Sequence, residues 1–190
     1  MSRFPFDAVL FDCDGVLVDS EPLVARVLSE MLTERGWPLT PAQAGEVFLG
    51  QSVAHLAGLI EERTGKPFTE EWLEEFRQQR NRALERDLVA IQGAPEAVRA
   101  IGAATGGRIA CASGADLHKV KLQLGKVGIL DAFGAHVFSG RHAAHQAASG
   151  CLSGRRRSAG RGPEALRGDR GYRDRCNGWR GSRSHRIRLQ

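Results

Sequence analysis

The sequence lacks long apolar runs and has few cysteines. No uninterrupted apolar segment approaches the roughly 20 residues that cross a bilayer, and the N-terminus has no signal-peptide pattern. The four cysteines are far apart and lack the close spacing typical of metal sites. We therefore expect a globular cytoplasmic protein without membrane association, in which Cys13 and Cys111 are buried, reduced thiols.

Lysine is absent from the last fifty residues, and acidic and large aliphatic residues are scarce there. Residues 141–190 contain 13 Arg and 3 Asp+Glu, a net charge of +10, whereas residues 1–140 contain 14 Lys+Arg and 19 Asp+Glu, a net charge of −5. No helical or strand periodicity survives in the last fifty residues. Such a stretch buries too little apolar surface to offset its ordering entropy. We therefore treat residues 141–190 as an Arg- and Gly-rich tail and not as a native domain.

Apolar runs and helical periodicity alternate through the rest of the chain. Residues 8–11 predict a strand that is buried on both faces. Residues 18–88 contain four stretches of helical periodicity, of which the first, second and fourth have Ser20, Thr40 and Thr69 as predicted N-caps and the third spans residues 53–63. The following segments predict helix, strand, helix and strand in turn. This order predicts an α/β fold with a Rossmann-like three-layer core and a parallel sheet (residues 1–17 and 89–140) and an inserted all-helical cap (residues 18–88).

Two carboxylates directly follow the first predicted strand. Asp12 and Asp14 stand at its carboxyl end, where open parallel sheets bind ligands, and Gly15 lets the chain turn sharply. Asp12 can attack phosphorus and carry an aspartyl-phosphate, while Asp14 protonates the leaving oxygen and later activates water. The two carboxylates also favour a magnesium ion shared with substrate phosphate. The alternatives are a surface turn and a calcium loop, and a calcium loop would need further acidic ligands that residues 16–18 do not provide.

A second signal follows the second predicted strand. Ser113 and Gly114 connect that strand to a helix, where a hydroxyl and free backbone N–H groups can bind phosphate. Such a connection needs small capping residues in any case, so Ser113 and Gly114 indicate a phosphate site only in combination with Asp12. The combined pattern predicts a phosphate site made by Ser113, Gly114 and Gly15.

These residues resemble the haloacid dehalogenase-like phosphatases. The similar segments are FDCDGVLVDSE, IQGAPEAVRAI, IACASGA and LGKVGILDAFGAHVFSG, with the helical insert after the first. They look like the subgroup that contains β-phosphoglucomutase and the phosphogluconate and phosphoglycolate phosphatases. The resemblance implies that Asp12 is the nucleophile, that Asp14 is the acid/base and joins the magnesium shell through its backbone carbonyl, and that Ser113 holds phosphate.

The resemblance also bears on substrate choice. The loop Gly50, Gln51 and Ser52 lies where the family recognises its substrate in the cap. Mutase members carry a His where this chain has Val24 and an Arg where it has Val53. Their absence favours a magnesium-dependent phosphatase that acts on a small phosphorylated metabolite. A sugar phosphomutase of the same family is the alternative.

Two family motifs are missing after Gly140. The family continues with a Lys-Pro-x-Pro-Asp segment, whose Lys balances charge at the site, and later with a strand ending in Glu-Asp, whose Asp binds magnesium. Three lysines precede the last predicted strand (Lys119, Lys121 and Lys126), and we expect them to line a solvated helix.

The tail suggests why these motifs are missing. Codons can be chosen for residues 145–167 and 168–179 that, read one base out of frame, give TKPPPDVFLAAAEALGVAPKRC and VIEDTVTGVTA. These strings contain the two missing motifs in the expected order. Our hypothesis is that a one-base shift near residues 140–144, in the gene or in its record, replaced the native C-terminal part.

Such a replacement has physical consequences. In the family fold the first strand is central, and losing its neighbour makes it an aggregation-prone edge. Losing an ammonium and a metal ligand should lower the rate of phosphoryl transfer by orders of magnitude. We therefore expect the chain to hydrolyse phosphate esters barely or not at all. A rival hypothesis is an inactive fold fragment with an RNA-binding tail. The tail's only aromatics are Tyr172 and Trp179, without a repeat, so nucleic-acid binding is not expected.

Overall fold

The structure is a computed structural model that describes residue 6 and residues 8–140. Five α-helices and a short 3₁₀ helix lie between the first and second strands, and two further helices lie between the second and third strands. The elements are β1 (Val9–Phe11), α1 (Glu21–Glu34), α2 (Pro41–Phe48), a short 3₁₀ helix (Val53–Leu56), α3 (Ala57–Thr64), α4 (Glu70–Asp87), α5 (Ala94–Ala104), β2 (Ile109–Ser113), α6 (Leu117–Lys126), α7 (Leu130–Phe133) and β3 (Val137–Ser139).

The three strands form a parallel sheet in the order β1-β2-β3. Phe11 pairs with Cys111, and Ser113 pairs with Ser139, so the carboxyl ends of all three strands meet at one edge of the sheet. Parallel neighbours need crossover connections, and the helices between the strands provide them. The predicted α/β fold with a parallel sheet and a helical insert after the first strand is confirmed.

The main apolar core lies between one face of the sheet and the helices that pack on that face. Residues alternate in direction along each strand, so Ile109 and Cys111 face this core, whereas Ala110 faces the opposite side. Helices α5, α6 and α7 supply Val98, Leu124 and Phe133 among others to the same core. The buried members are Cys13, Leu17, Val18, Leu84, Leu88, Ala94, Val98, Ile109, Cys111, Val120, Leu124, Ile129 and Phe133.

Helices α1 to α4 enclose a second apolar core. It contains Trp72 and Phe76, whose stacked rings have centroids 6.3 Å apart. The helices begin where the sequence predicts. The Thr40 side chain accepts a hydrogen bond from the Gln43 backbone in a complete capping box, and the Thr69 hydroxyl accepts one from the Trp72 backbone. The third predicted helix differs, because its first turn is the 3₁₀ helix and the α-helix begins only at Ala57.

Two short segments connect the helical insert to the sheet and run side by side. The Asp19 backbone N–H donates to the Val89 carbonyl at 3.0 Å, and the Ile91 N–H donates to the Leu17 carbonyl at 3.1 Å. This pairing ties the beginning of the insert to its end. The boundaries of the predicted cap at residues 18 and 88 stay a prediction.

Strand β1 has no neighbour on its outer side within the described part of the chain. Leu10 in this strand is 38% exposed, so the prediction that the strand is buried on both faces is wrong for the described part of the chain. Phe6, which precedes the strand, is 52% exposed. On the sheet face to which Ala110 points, the described residues form only a small apolar cluster, which includes Ala112 and Phe138. The predicted tail, residues 141–190, lies outside the described residues. No helix among the described residues is long and apolar enough to cross a membrane.

Candidate functional site

The turn after β1 holds the two predicted carboxylates. The Cys13 carbonyl accepts hydrogen bonds from the Leu17 and Val18 backbones at 2.9 and 3.2 Å, which closes a tight turn. Gly15 adopts φ +70° inside it, a left-handed conformation that glycine reaches without strain. The Asp12 carboxylate accepts the Cys13 backbone N–H at 2.8 Å and remains exposed. Asp12 therefore lies at the sheet edge where the strands end, and its neighbour Asp14 turns toward α6.

The Asp14 carboxylate is held by three donors that all reach Oδ1. Lys119 Nζ donates at 2.9 Å and Gln123 Nε2 at 2.8 Å, both from α6, and the Ser20 hydroxyl donates from the start of α1. Ser20 was expected to cap α1. It does occupy the N-cap position, but its side chain makes no cap hydrogen bond and binds Asp14 instead. Asp14 thus connects the beginning of the helical insert to α6.

These contacts change the acidity of Asp14. Burial alone would raise the pKa of this carboxyl group, but the Lys119 charge and the hydrogen bonds from Ser20, Lys119 and Gln123 outweigh it and hold the pKa below its ordinary value. Asp14 is therefore ionised at neutral pH in this arrangement. It can accept a proton from water as it stands, and it must first receive a proton before it can act as an acid.

The sequence prediction for Lys119 is wrong. Its side chain is only 12% exposed and forms an ion pair with Asp14, while Lys121 and Lys126 are exposed as expected. Gln123, which the sequence reading did not single out, is fully buried beside it. A signal was present, because Lys119 and Gln123 are four residues apart and share a face of α6. Periodicity alone does not show which partner that face meets.

The two described cysteines are buried next to this cluster. Cys13 Sγ donates to Gln123 Oε1 at 3.4 Å, and both Cys13 and Cys111 are free thiols. A hydrogen bond with Cys111, reinforced by burial, raises the pKa of the Cys13 thiol far above its ordinary value. The thiol therefore stays protonated, and the expectation of buried reduced cysteines is confirmed for this pair.

The predicted phosphate residues lie at the end of β2. Ser113 is buried, and its hydroxyl accepts a hydrogen bond from the Ala115 backbone at 3.1 Å. Asp116 then caps α6 by accepting the Lys119 backbone N–H at 2.8 Å. The chain at Gly114 is exposed and a Cβ there would meet nothing within 4 Å, so this stretch leaves room for a ligand.

The predicted substrate loop lies between α2 and the 3₁₀ helix. Gly50, Gln51 and Ser52 are all exposed, and Gly50 adopts φ +69°. The Ser52 hydroxyl accepts a hydrogen bond from the His55 backbone at 3.2 Å and so begins the 3₁₀ helix. The contacts recorded for these side chains are local. Their part in substrate recognition stays a prediction.

Arg80 joins the helical insert to the helix that carries Lys119. Its guanidinium lies 3.0 Å from the Asp116 carboxylate at the N-cap of α6, and it also lies over the Phe76 ring at 5.8 Å. The Arg80 side chain is 10% exposed, so this charge is nearly buried where α4 meets α6. A groove of about 560 Å³ lies elsewhere, between α1 and α4, and none of the predicted site residues lines it.

The donors at the strand end suit a hard cation only in part. Within residues 8–140, no group of three or more His, Cys, Asp or Glu side chains could hold a metal. The exposed Asp12 carboxylate lies at the strand end, and the family resemblance implies the Asp14 backbone carbonyl as a second oxygen ligand. Mg²⁺ commonly binds through one or two carboxylates plus substrate phosphate and water. These residues therefore fit a magnesium ion that is held jointly with a phosphate.

Comparison with known proteins identifies the family. A model of the haloacid dehalogenase-like hydrolases matches residues 6–149. The chain belongs to this family. It is 31% identical over 141 residues to the 6-phosphogluconate phosphatase of Escherichia coli K12, covering 74% of this chain and 61% of that protein.

Solved structures of haloacid dehalogenase-like proteins agree with this assignment. A member of unknown function from Agrobacterium tumefaciens is 34% identical, with a TM-score of 0.58, covering 70% of this chain and 59% of that one. A family hydrolase from Deinococcus radiodurans, solved with bound phosphate and sodium, is 31% identical, with a TM-score of 0.55, covering 75% and 61%. The chain thus spans about three-fifths of the length of these relatives.

Proposed function

We propose that the haloacid dehalogenase-like chain is a magnesium-dependent phosphatase of small phosphorylated metabolites that works through an aspartyl-phosphate. The observation that carries this proposal is the position of Asp12 and Asp14 at the carboxyl end of β1, beside Ser113 at the end of β2. Ligands bind at this edge of open parallel sheets. The cytoplasmic location stays a prediction from the sequence.

In the first proposed step, an Asp12 carboxylate oxygen attacks the phosphorus atom of the substrate. The bond between phosphorus and the ester oxygen breaks, and that oxygen leaves as an alcohol after taking a proton from Asp14. Ser113 and the backbone near Gly114 and Gly15 hold the phosphate oxygens. Because Asp14 is ionised in the structure, it takes this proton from solvent as the substrate binds, and it returns one to solvent after the second step.

In the second step, water attacks the phosphorus atom of the aspartyl-phosphate. Asp14 removes the proton from this water, the bond between phosphorus and the Asp12 oxygen breaks, and inorganic phosphate and the free carboxylate result. A magnesium ion, held through Asp12 and the Asp14 carbonyl, would neutralise charge on the phosphate oxygens. Such charge stabilisation and positioning dominate phosphoryl transfer.

The cap residues fit a phosphatase better than a mutase. Val24 and Val53 pack in the apolar core of the helical insert, so neither position offers a polar side chain to a second phosphate or hydroxyl. The sugar-acid phosphate named for the Escherichia coli relative is the first substrate to test, with Gly50, Gln51 and Ser52 as the expected recognition loop.

We also propose that the 190-residue chain is impaired. The family match ends at residue 149, and the relatives extend well beyond the region they share with this chain. A restored reading frame after residue 140 would add the missing lysine and magnesium-binding carboxylate. Sequencing the coding DNA across codons 138–146 tests this directly, and an unshifted frame would contradict it.

The activity test compares both chains. We expect the frame-restored chain to release phosphate from 6-phosphogluconate or p-nitrophenyl phosphate only with Mg²⁺, and the 190-residue chain to be slower by orders of magnitude. Asp12→Asn should abolish turnover, whereas Asp19→Asn, an exposed carboxylate a few residues later, should not. Equal magnesium-dependent rates in the two chains would contradict the impairment, and full activity of Asp12→Asn would contradict the mechanism.

A further inference from the structure

We infer that Lys119, assisted by Gln123, is the positioning residue that fixes the Asp14 carboxylate for proton transfer. The inference rests on the proposed function. Lys119 Nζ and Gln123 Nε2 reach the same oxygen, Oδ1, at 2.9 and 2.8 Å. The Ser20 hydroxyl reaches Oδ1 as well, so the three side-chain hydrogen bonds to Asp14 converge on one carboxylate oxygen, and we assign the proton transfer to the other oxygen, Oδ2.

The arrangement restrains the carboxylate from two directions. Gln123 is fully buried and the Lys119 side chain is 12% exposed, so neighbouring atoms limit how far either side chain moves with Asp14. Ser20 approaches from the opposite element, at the start of α1. A carboxylate restrained from both sides has one orientation, and a fixed orientation is what a proton-transfer group requires.

The first turn of α6 keeps the Lys119 backbone in place. Asp116 accepts its N–H at 2.8 Å, and Asp116 is itself paired with Arg80 at 3.0 Å. Lys119 is thus anchored at its backbone by a capped helix and at its ammonium by Asp14. Lys121, two residues later on the same helix, is exposed, so it provides a matched control.

The contact itself can be tested in the 190-residue chain without any turnover. Reductive methylation followed by peptide mass spectrometry should modify Lys121 quickly and Lys119 more slowly by roughly tenfold, the factor expected for a charged hydrogen bond worth about 1.5 kcal/mol. Asp14→Asn should raise the Lys119 rate toward that of Lys121. Modification of Lys119 as fast as Lys121 in the unchanged chain would overturn the inference.

The role in catalysis is tested by turnover of p-nitrophenyl phosphate with Mg²⁺, in the 190-residue chain and in the frame-restored chain. Lys119→Met should lower kcat by on the order of a hundredfold, the usual contribution of a positioned acid/base, while KM changes little. Lys121→Met should leave both constants unchanged. Equal kcat for these two variants would overturn the inference.

The two assays separate this inference from the proposed function. A chain that turns over while Lys119 is freely modified refutes the positioning role and leaves the phosphatase intact. A chain in which Asp14 protects Lys119, but which never hydrolyses a phosphate ester in either reading frame, refutes the phosphatase and with it the catalytic meaning of the contact.

Discussion

The ion pair between Arg80 and Asp116 should couple the stability of the helical insert to that of the sheet and its helices. Arg80 belongs to α4 and Asp116 caps α6, and their side chains meet at 3.0 Å. Replacing Arg80 by Met keeps most of the apolar stem and removes the charge. The resulting loss in the free energy of unfolding therefore reports mainly on the guanidinium contacts.

The expected magnitude follows from the surroundings of the pair. Hydrogen bonds to charged groups contribute about 1.5–3 kcal/mol when well buried, but the Asp116 side chain is 45% exposed, which screens the interaction. The position of Arg80 over the Phe76 ring adds about 0.5–1 kcal/mol. We expect Arg80→Met to lower the free energy of unfolding by about 1–2 kcal/mol, of which about 1 kcal/mol is coupling to Asp116.

A double-mutant cycle in urea measures this coupling. The cycle comprises the unchanged chain, Arg80→Met, Asp116→Asn and the double variant, and Arg77→Met is a control on an exposed pair of the same helix. The Arg77 variant should change stability by less than about 0.5 kcal/mol. A coupling energy of zero between Arg80 and Asp116 would refute the reasoning.

The coupling should also depend on pH. Burial alone raises the pKa of Asp116, but the Lys119 backbone N–H and the Arg80 guanidinium outweigh it and leave the pKa lowered. A carboxylate with a lowered pKa in the folded state stabilises the protein above its unfolded pKa of about 3.9 and loses that contribution as the pH falls through the folded value. The cycle should therefore show full coupling at pH 7 and progressively less below about pH 4. A coupling that grows on acidification would contradict this sign.

Three further outcomes are expected. Gly15→Ala should destabilise the chain by about 1–2 kcal/mol, because its φ of +70° strains an L-residue although no neighbour clashes, whereas Gly58→Ala in helix α3 should be neutral or stabilising in the same urea titration. Leu10→Lys on the outer strand should reduce aggregation measured by light scattering more than Leu49→Lys does, and an equal effect would argue against β1 as an aggregation edge. Asp14→Asn should cost stability at neutral pH and progressively less as the pH drops below about 4, since the folded-state pKa of Asp14 is lowered, and a constant loss would contradict the ion pair with Lys119.

Local sequence rules predicted well the strands and helices that carry the site. The apolar run before Asp12 indicated a strand of a parallel sheet, and the caps at Thr40 and Thr69 indicated where helices begin. These features depend on residues within a few positions of one another, so period and capping chemistry are sufficient to identify them. The same rules placed Ser113 at the end of the neighbouring strand. The predicted burial of the first strand on both faces is wrong, because it depends on a neighbour that the described residues do not supply.

Long-range partners were beyond those rules. Lys119 and Asp14 are 105 positions apart, and a lysine at the border of the apolar stripe of a helix is ordinarily solvated. Ser20 shows the same limitation, since its hydroxyl could satisfy either the local cap or Asp14, and the tertiary partner prevailed. Only the packing of α6 and α1 around the turn after β1 decides such competitions.

The central claim is that the Asp12 carboxylate accepts phosphorus. Rapid mixing of the frame-restored chain with a phosphate ester and Mg²⁺, followed by borohydride, would reduce an aspartyl-phosphate to homoserine, which peptide mass spectrometry locates. We predict homoserine at position 12, dependent on substrate and Mg²⁺ and absent from Asp12→Asn. Steady turnover with no trapped residue at position 12, or with the label at another carboxylate, would contradict the account.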